Sequence, residues 1–183
     1  MRVVSVQVGQ IREVPWRGRL VRTAIWKEPV PGRVRVATSG LHGDVQADPS
    51  VHGGHEKAVY FYPAEHYPAW REELGLPDLS WGAFGENLTC EGLLETDVRI
   101  GDRLRVGTAE VIVTQPRMPC SKLGMKFADP RMIKKFLASR RSGFYTSVLL
   151  EGDVAAGDTI ILLNRDASAP TVRNVVDDLA RSV

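Results

Sequence analysis

Nucleophile, cation and rigid backbone come together in one stretch, Gln115-Pro116-Arg117-Met118-Pro119-Cys120-Ser121-Lys122-Leu123-Gly124. Cys120 stands between Arg117 and Lys122, and neighbouring cations favour the thiolate, the form that acts as nucleophile or soft-metal ligand. Pro116 and Pro119 fix φ and remove two backbone donors, so the loop is stiff. The opposing reading of Cys120 is a small buried hydrophobe, the ordinary fate of a reduced cysteine. Cys90, in Asn87-Leu88-Thr89-Cys90, has no cation within three residues and reads as packing.

A second cluster is Gly40-Leu41-His42-Gly43-Asp44-Val45-Gln46-Ala47-Asp48, followed by His52-Gly53-Gly54-His55-Glu56-Lys57. Paired glycines let a backbone approach a ligand and point amide N–H groups at an anion, and Lys57 adds charge. His52, His55, Asp44 and Asp48 have the chemistry for zinc or iron. His-x-x-His is helical ligand spacing, however, and Gly53-Gly54 disfavours a helix, so a ligand-contacting loop and a structural turn stand beside the metal reading. In Trp81-Gly82-Ala83-Phe84-Gly85-Glu86-Asn87-Leu88-Thr89, Glu86 and Asn87 either hydrogen-bond a heterocycle's edge or brace the turn. Composition favours the brace.

The elements that must position these residues read as strands. Short β-branched runs cover Val3–Val8, Leu20–Trp26, Val34–Thr38, Ala58–Tyr62, Val98–Val106, Glu110–Thr114, Phe144–Leu150 and Thr159–Leu163,. Helices are predicted over Pro63–Leu74, from Asp129 and Pro130 to Gly143, and from Thr171, where Val172, Val175, Val176 and Leu179 form one apolar face,. Asn164 to Pro170 reads as a linker. The expectation is one mainly β domain over 1–163, with a few peripheral helices, and a linker with a short C-terminal helix over 164–183.

The chain has 183 residues, 43% of them hydrophobic, which is enough for one core without disulfide staples,. Its 24 Lys and Arg against 22 Asp and Glu leave a net +2, too balanced for a dedicated binder of duplex nucleic acid,. The charges segregate: 65–102 is acidic, and 117–141 holds eight Lys/Arg against one Asp. A local basic stretch in a nearly neutral chain suits a small anion. No apolar run is long enough for a membrane span and the N-terminus lacks a signal-peptide core, so the expected compartment is the cytoplasm, where Cys90 and Cys120 are thiols. Signatures for dinucleotide, P-loop, serine-hydrolase and zinc-ribbon sites are absent.

In this order the stretches resemble the MOSC domain, the module found at the C-terminus of molybdenum cofactor sulfurases and in free-standing bacterial proteins, and within it the YiiM-type group. Gly40-Leu41-His42-Gly43-Asp44, Gln46-Ala47-Asp48, His52-Gly53-Gly54, Lys57-Ala58-Val59, Gly85-Glu86-Asn87-Leu88-Thr89, Ile100-Gly101-Asp102, Gln115-Pro116-Arg117, Pro119-Cys120, Lys122-Leu123 and Gly143-Phe144-Tyr145 carry it. The resemblance implies a closed, irregular β-barrel like the pyruvate kinase barrel domain. It also implies a molybdenum pterin site with Cys120 as molybdenum ligand or sulfur carrier. The implied cofactor-binding positions are Asp44, Gln46, His52, Gly53, Gly54, Lys57, Asn87, Gln115, Arg117 and Lys122. Ser121 stands where relatives often carry an aromatic residue and Ser147 where they often carry Arg, and the three-helix C-terminal extension of longer relatives is shortened to one helix.

Three functions follow from the resemblance. One is reduction of N-hydroxylated bases such as 6-N-hydroxylaminopurine, fed by an external electron-transfer protein. Another is persulfide transfer from a cysteine desulfurase, whose pyridoxal phosphate would reside on that separate protein. The third is non-catalytic cofactor binding. The expected state is a monomer or homodimer acting on a small molecule, with no membrane partner.

Overall fold

A computed structural model describes residues 1–47 and 54–181. Its strands are β1 (Arg2–Val8), β2 (Arg12–Trp16), β3 (Arg19–Thr23), β4 (Glu28–Pro29), β5 (Val34–Ala37), β6 (Gly40–Leu41), β7 (Val59–Pro63), β8 (Leu88–Glu91), β9 (Arg103–Val106), β10 (Ala109–Pro116), β11 (Phe144–Leu150), β12 (Gly152–Val154) and β13 (Ile160–Asn164). The helices are α1 (Tyr67–Leu74), α2 (Ser121–Lys126), α3 (Met132–Ser139) and α4 (Val172–Arg181).

Eight strands form one sheet in the order β13-β9-β10-β11-β7-β8-β1-β4. Its ladders are antiparallel except for β7 against β8, whose parallel pairing is made possible by the long crossover that carries α1,. Strand alternation sets the inner face. In β9 and β10, Leu104, Val106, Ala109, Val111 and Val113 are buried while Arg103 and Arg105 face solvent,.

The mainly β prediction holds, but the closed barrel does not: no sheet closes on itself. The nearest approach to closure is one bridge between Arg2 and Thr159, with Val3 N–H donating to Asp158 O at 2.9 Å and Ile160 N–H donating to Met1 O at 2.9 Å. The free side of β1 is divided, because Gln7 and Val8 pair with β4. β4 thus takes one end of that edge and the Arg2–Thr159 bridge the other, and no continuous β1–β13 ladder forms.

β7 is buried on both faces and separates two cores. Val59 and Phe61 face the aliphatic core, where Phe61 stacks on Phe144 at 5.3 Å. Tyr60 and Tyr62 face an aromatic core with Tyr67, Trp70, Phe84 and Phe136, in which Trp70 Nε1 donates to the Tyr62 hydroxyl at 2.7 Å. Gly143 permits the strand approach: its φ is +61°, and a Cβ there would lie 2.3 Å from Phe61 O.

Other local expectations shift. The strand read over Leu20–Trp26 stops at Thr23, because β3 is the return arm of a hairpin with β2, which was not foreseen. That read over Val98–Val106 shortens to β9. α3 starts at Met132 and ends when Arg140 adopts φ +60°, before Gly143. α2 was unforeseen, since its six residues are too few to show a helical period,. α4 buries Val172 and Val176, and the segment leading into it is tied by Ile100 N–H to Pro170 O and by Arg165 to Asp102. No helix among the described residues is long and apolar enough to cross a membrane.

Candidate functional site

A cleft open to solvent lies where five chain segments converge. Its walls come from Thr23–Lys27 after the β2–β3 hairpin, Asp44–Ala47 after β6, Lys57 and Tyr60 around the start of β7, Gly85 and Asn87 before β8, and the Arg117–Lys122 loop. Tyr145 of β11 completes it.

Seven of the expected positions meet there: Asp44, Gln46, Lys57, Asn87, Arg117, Cys120 and Lys122. Gln115 sits on β10 opposite Tyr145, past a register shift that follows Val113, and is not among the lining residues. Gly54 is exposed and away from the lining, while Asp48, His52 and Gly53 lie outside the described residues. Neither Ser121 nor Ser147 lines the cleft.

Arg117 is the most unusual group in the site. It is 5% exposed, and its guanidinium lies 5.8 Å from the Tyr60 ring and 5.3 Å from the Phe136 ring. Among the described residues its Nη1 has no hydrogen-bond partner. A buried cation normally sits against a carboxylate, and this one is bedded on aromatic faces instead. Burial pushes the Tyr145 phenol above its ordinary range, with Arg117 pulling the other way.

Cys120 is half-buried and extended (φ −129°, ψ 173°), and its carbonyl accepts from Leu123 N–H at 3.0 Å as α2 begins. Neither cysteine is in a disulfide. Cys90 is fully buried in the aliphatic core, where burial pushes its thiol well up, as the packing reading requires.

The floor is a satisfied polar network. Asp44 pairs with Lys27, accepts from Gly9 N–H at 2.7 Å, and accepts from Asn87 Nδ2 at 2.8 Å. Asn87 Oδ1 in turn accepts from Tyr60 N–H at 3.1 Å. Asp44 and Asn87 thus lock three walls together. Among the described residues no three His, Cys, Asp or Glu side chains gather as a metal cluster. Glu86 braces its turn, accepting from Tyr67 Oη, from Gly82 N–H at 2.8 Å, from Phe84 N–H at 3.1 Å and from Thr89 Oγ1 at 3.0 Å.

Lys126, which sequence reading passed over, reaches from the end of α2 to donate to Ile25 O at 3.1 Å and Gly82 O at 2.6 Å. It ties the helix that follows Cys120 to two opposing walls. Burial pulls its ammonium from 10.5 down to about 8, against the attraction of Glu86. Between these values the unfolded chain holds a proton that the folded one has released, so this group makes stability rise with pH from about 8 to 10.5,. Urea titrations should show the stability of the wild type gaining up to about 3 kcal/mol on Lys126→Met across that window. Parallel pH profiles for the two proteins would refute it.

Sequence reading also missed Lys27, Tyr60 and Tyr145. The tyrosines were accessible to it, because strand alternation through Val59-Tyr60-Phe61 and Phe144-Tyr145-Thr146 assigns them a face. Lys27 carries no local signal, since its partner Asp44 is brought to it only by the fold.

The large mixed sheet and the cleft that joins a thiol with several cations define a domain class, and comparison with known proteins agrees. The chain belongs to the MOSC domain family, whose match spans residues 48–161. It is a YiiM-type member: the crystal structure of YiiM from Geobacillus stearothermophilus superimposes with a TM-score of 0.82 at 37% identity, covering 99% of this chain and 84% of that one. Uncharacterized protein YflK of Bacillus subtilis (strain 168) is 44% identical over 171 residues, 93% of this chain and 77% of that protein. A protein named Reductase from Gibberella moniliformis is 38% identical over 176 residues, covering 94% of this chain but 31% of that protein.

Proposed function

We propose that this protein binds the molybdenum cofactor, with Cys120 as the molybdenum ligand, and reduces N-hydroxylated bases such as 6-N-hydroxylaminopurine. The observation that carries the reading is that Cys120 lines one cleft with Arg117, Lys57 and Lys122, and that Arg117 is buried there with no carboxylate partner among the described residues. That donor set fits an anionic group bearing a soft metal: thiolate suits molybdenum, and Arg117, Lys57 and Lys122 suit a pterin phosphate or a metal-oxo oxygen. When bound, the cofactor supplies the two-electron exchange that N–O cleavage requires. The chain's own residues bind and orient. Arg117 holds the anion, Tyr60 and Tyr145 exclude water from one side, and the Asp44, Asn87 and Lys27 network keeps the opposite walls in place. The relative named Reductase favours this reaction class.

Arg117→Met separates binding from folding. Losing a charge-assisted contact should weaken cofactor retention roughly 30-fold, about 2 kcal/mol. Urea stability should stay level or rise, because an uncompensated buried cation is replaced by an apolar chain of similar length. Unchanged retention, or a large loss of stability, contradicts the assignment. The reaction itself is tested by hydroxylaminopurine turnover with an artificial electron donor.

The half-buried position of Cys120 at the cleft also favours a second reading, persulfide carriage. Mass spectrometry after incubation with a cysteine desulfurase decides it: absence of a 120-linked persulfide removes this reading.

A further inference from the structure

Residues 12–23 form the β2–β3 ribbon, whose strands pair only with each other. The turn between them, Arg17-Gly18, has positive φ at both positions (+49° and +75°), the geometry of a tight two-residue hairpin,. The ribbon carries four arginines, Arg12, Arg17, Arg19 and Arg22, against one acid, Glu13.

Arginine pairing sets it apart. Elsewhere in the described residues, Arg117 excepted, every arginine guanidinium meets a carboxylate or a carbonyl: Arg2 with Glu91, Arg33 with Asp158, Arg140 with Asp177 and Arg165 with Asp102 are examples. On the ribbon only Arg12 is so matched, by Glu28. Arg17 lies over the Trp16 ring at 5.7 Å, Arg19 stands across the ladder from Trp16, and Arg22 stands across from Glu13. Among the described residues, none of the three forms an ion pair. Between these cations Leu20 is 68% exposed and Trp16 is half-buried. Trp and Arg around an exposed aliphatic residue is the composition of a protein-binding hot spot. A lone two-stranded ribbon is only marginally stable by itself, so a partner gains by holding it. β3 runs directly into Thr23, Ala24 and Ile25 of the cleft wall.

We infer that the β2–β3 ribbon is the docking surface for an acidic one-electron carrier protein that feeds the cleft. This inference rests on the reductase reading. The reaction it serves balances as R–NHOH with two reduced carriers and two protons giving R–NH2, water and two oxidised carriers. Unneutralised arginines beside the cleft supply the charge complementarity that steers an acidic protein there. Three of them in a chain of net +2 are few for a nucleic-acid track,.

The test uses the full-length protein and an acidic flavodoxin as probe. Calorimetric titration should show binding that weakens with salt, and it should be reduced roughly tenfold or more by Arg17→Glu/Arg19→Glu/Arg22→Glu. A control reversing the same number of charges at the start of α3 and on the residue before it, Arg131→Glu/Lys134→Glu/Lys135→Glu, should bind nearly as wild type. Circular dichroism on both variants confirms that each is folded. Equal loss in both variants, or no loss in the ribbon variant, overturns the inference. So does a single-stranded oligonucleotide that binds the ribbon more tightly than flavodoxin does. Flavodoxin-driven turnover should fall in the ribbon variant while dithionite-driven turnover holds. If the wild type turns over with neither donor, the reductase reading fails, and the titration still decides the docking surface.

Discussion

Cys120→Ala protein from a cofactor-competent host should carry molybdenum and pterin only at background, while the wild type carries both. Cys120 is the one soft donor among the described residues that line the cleft, because the second cysteine, Cys90, is sealed in the aliphatic core. A metal–thiolate bond is far stronger than a hydrogen bond, and its loss should exceed the Arg117→Met effect, lowering retention more than about 100-fold, or 3 kcal/mol. Folding should be barely affected, since Cys120 is half-buried and outside both cores. Equal metal content in wild type and Cys120→Ala would refute the ligand assignment whatever the turnover shows.

Glu86→Ala should be the most destabilising substitution among the polar residues discussed, costing about 3–5 kcal/mol in urea unfolding. The carboxylate is fully buried and accepts from two backbone amides and two hydroxyls. Its removal strands all four donors. It also deprives the neighbouring Lys27 and Lys126 ammonium groups of a compensating charge. Glu86→Gln keeps the shape but turns one end of the group into a donor that faces donors, so it should cost less, about 1–3 kcal/mol. Were Glu86 instead a ligand contact, both substitutions would weaken cofactor binding and leave stability near that of the wild type.

These two residues mark what the sequence discloses and what it does not. The Cys120 loop is legible because its chemistry is local: two prolines, two cations and a thiol within eight residues. The turn-bracing role of Glu86 is half legible, since Gly82 and Gly85 announce the turn, but its Tyr67 partner is set by α1. Alternation of β-branched residues also reveals most strands of the large sheet. It does not reveal β2, where Pro15 and interleaved charges break the apolar pattern, nor whether the sheet closes. Closure depends on which strand claims the free side of β1, and β4 claims part of it.

By itself, then, the sequence determined the β-rich class, the inequality of Cys90 and Cys120, and the loop that carries the soft donor. Only the tertiary structure decided that Asp44 and Asn87 lock the cleft walls and that Lys126 clamps two of them. It alone showed that, among the described residues, Arg117 is buried without a carboxylate and that three of the four ribbon arginines form no ion pair. The physical reason is that residue type and spacing report a side chain's intrinsic chemistry, whereas the state of a charge depends on its neighbours and on water. Lys27 and Asp44 are 17 positions apart and Lys126 is 44 from Gly82, so those neighbours exist only once the chain has folded.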